Sequence, residues 1–529
     1  MKTIFINGRF FTSNPYQPYA DTMIVEKGKI TWIGEGSCLE TTEGNVMNLQ
    51  GKRVLPGFVD AHMHAFMLAE TLTQIACTPP EVNSIAEMLC KISQRRAEQK
   101  EYQWILGWGF DEGKVKEKRL PTRWELDRIC PDVPVVITRS CAHVCIVNSL
   151  ALELAGIDNN TPNPDGGTID RNKDGELTGV LREDAAMSLV TALKPPASFE
   201  HNCKLMADLS VELSRYGITS VTEMMSSHGF YELFHAARQK GFRQKTVLYY
   251  LWDAIVKNPE MPAVYLDTDQ PIFIGGVKLF ADGSITGKTA WVSPSYLGSN
   301  EEFGLSITSR EAMNDACSYA SKMGLQVSVH AMGEQAIQLT ASVFSEKNSW
   351  LKNGPSFRLE HASLSSQEVL KLASSSNIAL LPQPIFFYAE IEGYLSNLGI
   401  ERTRLSYPIK SMLEKKVPVC LSSDAPATAW AVPHNPFVGL KAAVTRKAYD
   451  GTDIGKEERI NIEEAIILYT KSAAEICRLP STGMLAPGYC ADFIVLDRDI
   501  LEVPEDEIDL LSVDETFIDG EMVYQHRKV

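Results

Sequence analysis

The chain has 529 residues, too many for one ordinary core, and its 44% hydrophobic and 22% charged content excludes a disordered chain. A net charge of −16 and a pI of about 5.2 argue against a nucleic-acid or anionic-membrane surface, both of which favour a basic patch. The 11 cysteines are odd in number and scattered, without a Cys-x-x-Cys pair, which reads as reduced thiols in a cytoplasmic protein.

At the N-terminus, Asn7, Gly8 and Arg9 interrupt any signal-peptide core. No stretch reaches the apolar length that spans a bilayer. Residues 1–54 read as short strands at 3–7, 22–26 and 29–33, punctuated by Lys27-Gly28 and Gly34. An apolar run at 55–62 follows and ends in His62-Met63-His64. In an extended strand, residues i and i+2 share a face, so these two imidazoles aim at one point.

Strands are then expected at 218–223, 245–251, 276–281, 326–331, 357–362, 378–383 and 418–424, with amphipathic segments such as 310–323 and 367–374 between them. Strand–helix alternation repeated eight times is the pattern of a (β/α)₈ barrel, whose active site belongs at the carboxyl ends of the strands. About 150 residues separate the first strand from the second, far beyond an ordinary connection. Residues from about 70 to 200, with strand-like segments at 104–107 and 133–138, therefore read as an inserted subdomain over the barrel mouth, and 205–216 as the helix that re-enters the barrel.

From about residue 480 the chain is strand-rich again, at 491–497, 515–518 and 521–524, the last two flanking Asp519-Gly520, a hairpin signal. Neither end has enough strands for a stable sheet alone. Residues 1–54 and 480–529 are thus expected to form one β-domain beside a barrel of residues 55–479.

The expected strand ends carry the chemistry. His62 and His64 end the first, His330 the fifth, His361 the sixth and Asp424 the eighth, while Lys278 lies in the fourth among apolar neighbours. Four of the ten histidines at such positions, with a carboxylate and a buried lysine, describe a site for a divalent metal. An ammonium cannot ligate a cation. Neutralised by burial, however, the Lys278 amine can react with CO₂ to give a carbamate, a carboxylate able to bridge two metals. The other reading pairs Lys278 with Asp282 or Glu223.

These segments resemble the amidohydrolase superfamily, in the branch that includes N-substituted formamide deformylase. The carriers are Pro56-Gly57-Phe58-Val59-Asp60-Ala61-His62-Met63-His64, Lys278-Leu279-Phe280-Ala281-Asp282-Gly283-Ser284, His330-Ala331-Met332-Gly333, Glu360-His361-Ala362 and Ser423-Asp424-Ala425-Pro426. Leu120-Pro121-Thr122-Arg123, His143 with Asn148-Ser149, and Pro487-Gly488-Tyr489-Cys490-Ala491-Asp492-Phe493 extend the likeness nearly end to end.

The resemblance implies a distorted barrel, a β-sandwich built from both termini, and metal-dependent hydrolysis of a non-peptide, amide-type C–N bond in a small molecule. It implies His62, His64, Lys278, His330, His361 and Asp424 as ligands of zinc, as one or two ions. A metal-activated hydroxide would attack, with Asp424 as ligand and proton carrier. His143 is a donor to the oxyanion or, equally, a structural histidine in a loop. Glu334 departs from the aspartate usual in relatives. A homo-oligomer is compatible with this reading.

Two alternatives are carried. A mononuclear deaminase on the same scaffold would place a glutamate three residues after the fifth-strand histidine, whereas Glu334 follows His330 by four. A non-catalytic regulatory protein retaining the barrel predicts lost ligands, and none of the expected positions is lost. Cys141-Ala142-His143-Val144-Cys145 has metal-type residues in alternation but no fourth ligand in view. Phe386-Phe387-Tyr388, Trp108, Phe110 and Trp291 fit either pocket lining or packing. His201, His228, His235 and His526 read as surface or packing residues, and His434 as a pocket residue.

Overall fold

The computed structural model describes residues 2–36, 43–99, 103–140, 143–195 and 197–526. It divides into two compact units, one of Met1–Ala65, Cys203–Ala425 and His434–Val529, the other of Phe66–Asn202 and Pro426–Pro433.

The first unit is organised on a curled parallel sheet of seven strands in sequence order. These are β1 (Phe58–Met63), β2 (Ile218–Ser226), β3 (Lys245–Leu251), β4 (Ile272–Phe280), β5 (Gln326–Ala331), β6 (Phe357–His361) and β7 (Ile378–Leu381). Nearly every side chain in β1 and β2 is buried. That is why these segments read as continuous apolar runs rather than alternating ones. The helix Arg310–Met323 shows how the intervening segments form. Ser309 caps its first turn by accepting from the Ala312 N–H, and Gly324 ends it in the left-handed region at φ 68°. Its buried residues, Met313, Ala316, Cys317 and Ala320, fall on one helical face.

Two expectations need correction. The run 55–62 is not one strand. It breaks at Gly57 into Arg53–Pro56, which belongs to another sheet, and β1. A Cβ at Gly57 would lie 2.3 Å from the Thr219 side chain, so the crossing needs glycine. The eighth segment, 418–424, forms no regular strand. Only Val419 bridges to Leu380 in parallel. The segment still bonds to both edges of the sheet: Leu380 N–H donates to Pro418 O at 2.9 Å, Asp424 N–H to His62 O at 2.8 Å and His64 N–H to Ala425 O at 2.8 Å. Between those ends the Ser423 N–H bonds the Asp60 carboxylate rather than a strand carbonyl, at 3.1 Å. A side chain has replaced a ladder partner.

The same unit contains a six-stranded mixed sheet drawn from both ends of the chain. Its order is Glu521–Gln525, Val513–Ile518, Phe493–Leu496, Arg53–Pro56, Arg9–Phe11 and Tyr19–Ala20. A four-stranded sheet of Lys29–Gly34, Thr22–Glu26, Lys2–Ile6 and Asn45–Asn48 accompanies it. Phe5, from the four-stranded sheet, meets Phe493 and Phe517 edge-on at centroid distances of 4.9 and 5.4 Å, and the latter two rings stack at 4.3 Å. Rings from the two sheets thus share one core.

The second unit is built on its own six-stranded sheet, in which Ile105–Phe110 and Val135–Arg139 are parallel neighbours. Separate apolar clusters, one containing Ile92, Phe110 and Ile137 and the other Leu152, Leu181 and Val190, make it a unit with its own interior.

Candidate metal centre

The strand ends bring most of the predicted ligands together. Nε2 of His62 and Nε2 of His64 lie 3.1 and 3.0 Å from Asp424 Oδ1. The donor atoms of this trio all lie within 4.8 Å of one another. Oδ1 nevertheless accepts no well-directed hydrogen bond, and His64 Nδ1 is buried without a partner. Imidazole nitrogens and a carboxylate oxygen converging on one point are what a cation site requires. The His361 ring stands 4.9 Å from His62 and 4.4 Å from His330, centroid to centroid. His330 approaches the trio less closely than the others. Its Nε2–H donates to Gly283 O at 3.0 Å.

Three of the four imidazoles are held in a defined tautomer by an acceptor behind the ring. His62 Nδ1–H donates to Glu360 Oε2 at 2.7 Å, and His361 Nδ1–H to Gln383 Oε1 at 2.8 Å. With the His330–Gly283 bond, each ring in its neutral form has its second nitrogen open as a lone pair. Sequence reasoning missed Gln383 and the role of Glu360. The partners are 22 and 298 residues apart, so no local spacing could have marked them. The backbone also carries a signature: His361, Ala362 and Asp424 have φ of 66°, 48° and 57°. Left-handed conformations at non-glycine residues are uncommon and cluster at functional sites.

Burial pushes the His330 imidazole down to about 4, with help from Lys278, and holds His361 well below its ordinary value. Both are neutral, as ligands must be. For His62, burial and Lys278 act downwards, but Asp424 and Glu360 outweigh them and raise it. The position between these two carboxylates favours positive charge. Burial opposes ionisation of Asp424, yet His62, His64 and His361 hold its carboxyl well below the usual carboxylate range.

Lys278 is 1% exposed, and its Nζ makes no hydrogen bond. Burial lowers it to about 8. The expected alternative of an ion pair with Asp282 does not form. The Asp282 carboxylate instead accepts from the backbone N–H groups of Met332, Gly333 and Trp291 at 2.8–3.0 Å, tying the segments after β4 and β5 together. Nor does Nζ bond to Glu223: it makes no hydrogen bond and lies 5.3 Å from the centroid of the Phe280 ring. The donor set therefore fits a metal: the neutral His330 and His361 imidazoles, His62 and His64 converging on an ionised carboxylate, and a buried amine without a hydrogen-bond partner.

A family model described as the amidohydrolase family matches residues 45–524. The chain belongs to the amidohydrolase family. It is 30% identical to the amidohydrolase YtcJ of Bacillus subtilis (strain 168), over 99% of this chain and 100% of that protein. Identity to the N-substituted formamide deformylase of Arthrobacter pascens is 27%, over 99% and 98%. Among solved structures, an uncharacterized metal-dependent hydrolase from Pyrococcus horikoshii OT3 superposes with a TM-score of 0.76 at 27% identity, covering 96% of this chain and 99% of that one.

Other predicted features of this amidohydrolase fall into place. Glu334 accepts from the Ser293 N–H and from Arg402, so it is committed to a loop rather than to a ring nitrogen. Phe386 flanks His361 at 5.7 Å, whereas Phe387 packs on Tyr407 and on the buried Arg446 guanidinium. His434 is buried edge-on to Tyr216, 3.5 Å from Glu212, and is a packing residue rather than a pocket one. His143 belongs to the second unit, with its ring 69% exposed and Nδ1 3.0 Å from Glu183. Cys141 lies outside the described residues. Cys145 is fully buried and its thiol is pushed up to about 12, so it does not share a cluster with the exposed His143. No helix among the described residues is long and apolar enough to cross a membrane.

A second group of metal-type donors, Cys490, Asp492 and Asp519, already contains cations. Lys245 bridges Asp492 and Asp519, and Lys29 Nζ donates to Cys490 Sγ at 3.0 Å. A cavity of about 680 Å³ opens near the amino-terminal ends of β6 and β7, where Pro355, Asn377 and Pro418 are among its lining residues, and none of the predicted ligands borders it.

Proposed function

We propose that this amidohydrolase cleaves a non-peptide, amide-type C–N bond of a small molecule, with His62, His64, Lys278, His330, His361 and Asp424 holding the metal. The observation that carries the reading is the buried Lys278 amine, without a hydrogen-bond partner and coupled electrostatically to His62 and Asp424, beside the converging His62, His64 and Asp424 atoms. When bound, the metal, zinc as one or two ions, acidifies water and polarises the scissile carbonyl. The residues do the rest. Asp424, held ionised, accepts the proton of the attacking water and passes it to the leaving nitrogen. Lys278, as the neutral amine, adds to CO₂ and releases one proton, giving a carbamate with the anionic oxygens that an ammonium lacks. His143 is the proposed donor to the oxyanion.

The scaffold of this reading is a distorted (β/α)₈ barrel of residues 55–479 closed by the 418–425 segment. It carries an insertion at about 70–200 and a β-sandwich of residues 1–54 and 480–529. The protein is read as cytoplasmic, without nucleic-acid or membrane partners. The deaminase alternative is disfavoured by Glu334, whose carboxylate is taken by Ser293 and Arg402.

The test is metal analysis joined to hydrolysis assays on N-formyl, N-acyl and cyclic amide panels. N-formyl amides come first, because one relative is named a formamide deformylase. Expected are stoichiometric divalent metal, a mass gain of one CO₂ on Lys278, and hydrolysis abolished by chelation. Hydrolysis that survives complete metal removal overturns the reading. An unmodified Lys278 in fully loaded, active enzyme removes the carbamate.

A further inference from the structure

We infer that Glu360 is a positioning residue for His62, and that Arg358 holds Glu360 in that task. This deepens the metal-centre reading above and rests on it. Arg358 and Glu360 are two residues apart on β6, so they share a face, and both are fully buried. Both carboxylate oxygens are engaged. Oε1 accepts from Arg358 Nε at 2.8 Å and Ser328 Oγ at 2.7 Å. Oε2 accepts from Arg358 Nη2 at 3.3 Å and from His62 Nδ1 at 2.7 Å.

The guanidinium does more than neutralise. Nη2 also donates to Ala61 O at 2.6 Å, the carbonyl just before His62. One side chain thus grips both the backbone leading to the His62 ring and the acceptor behind that ring. Nη1 donates to Tyr249 Oη at 2.8 Å, and the guanidinium lies 4.6 Å above the Tyr249 ring. Tyr249 has room there because β4 presents Gly276, where a Cβ would sit 2.2 Å from the ring.

Burying two full charges is costly, and well-packed apolar residues of similar volume commonly serve a core as well or better. What an apolar pair cannot supply is an anionic acceptor fixed at His62 Nδ1. That acceptor keeps the proton on Nδ1 and the lone pair on Nε2, the atom 3.1 Å from Asp424.

The experiment measures Zn(II) affinity by chelator competition, with the melting temperature of each metal-free protein as the folding control. The double variant Arg358→Met/Glu360→Leu removes both charges and the acceptor. It should melt close to the wild type but bind zinc about 10–100-fold more weakly. Arg358→Met/Glu360→Gln keeps an amide oxygen for His62 and should recover most of that loss. The single Glu360→Gln answers the same question if the leucine variant does not fold. With Arg358 still present, the amide oxygen turns to the guanidinium and the NH₂ turns to His62, forcing the wrong tautomer and a loss at least as large. Wild-type zinc affinity in a folded leucine double variant, or in Glu360→Gln, overturns the inference and leaves the pair a core element. A wild-type protein that binds no divalent ion refutes the metal-centre reading itself, a result distinct from either.

Discussion

His62, His64 and Asp424 form one close group of metal-type donors, and Cys490, Asp492 and Asp519 form another in the same unit. Each has a lysine near it, Lys278 fully buried and Lys245 partly so, and the two behave in opposite ways. Lys245 bonds two carboxylates, whose attraction outweighs burial and raises it above the ordinary lysine value. Lys278 Nζ makes no hydrogen bond and lies 5.3 Å from the centroid of the Phe280 ring, and burial lowers it to about 8. Proximity of donors therefore does not define a metal site. One group carries its countercharge in its own side chains, while the other leaves imidazole lone pairs and a carboxylate oxygen unmatched.

The largest expected effect comes from emptying the unmatched group. Exhaustive chelation, or Asp424→Ala, should lower kcat/KM on the best amide substrate by about 10³-fold or more, with metal content falling in parallel. Cys490→Ser should leave both within about twofold. An equal loss in the two variants would break the comparison.

Next in size is Lys245→Met, which leaves Asp492 buried without its cation. A loss of about 3–5 kcal/mol in denaturant unfolding is expected. Lys278→Met should do the opposite in metal-free, CO₂-free protein at pH 7, stabilising by about 1–3 kcal/mol, because it removes a buried ammonium that makes no hydrogen bond.

The pH dependence sharpens the contrast. With Lys278 at about 8 in the folded chain and an unfolded lysine near its ordinary value of about 10.4, the unfolded state binds more protons between those limits. Wild-type stability therefore rises with pH across about 8 to 10.4, and the advantage of Lys278→Met shrinks over the same window. A pH-independent difference between the two proteins would contradict an unpartnered ammonium. Smallest is Lys29→Met, which removes an exposed lysine whose acceptor is a thiol. Thermal unfolding should move by less than about 1 kcal/mol.

The sequence made the seven strands of the curled sheet legible because each is a buried apolar run bounded by turn residues. It also placed His62, His330 and His361 at strand ends and His64 just past one, whereas Asp424 ends a segment that is no regular strand. The eighth strand misled because apolar content at 418–421 says nothing about a ladder broken by the Asp60 carboxylate. The division at Gly57 was hidden because both halves are apolar, and only the nearness of Thr219 shows why the chain changes sheets there. The acceptors behind the imidazoles were not legible. Glu360 stood in a motif without a role, and Arg358 and Gln383 carried no signal, since what gives them a role is their position around His62 and His361 in the folded sheet.

The crossing at Gly57 has a temporal consequence. Arg53–Pro56 runs directly into the strand bearing His62, and one of its two ladder neighbours is Phe493–Leu496, more than 400 residues later. Synthesis proceeds from the amino end at about 5–20 residues per second. The strand leading to the first two histidines thus waits for a neighbour that is made only after every other predicted ligand. Pairing between such distant segments is also the slow kind, because the chain must close a long loop before the contact repays it. The ligands are encoded early and late along the chain, and their common frame is sealed only once the strand at 493–496 has been made.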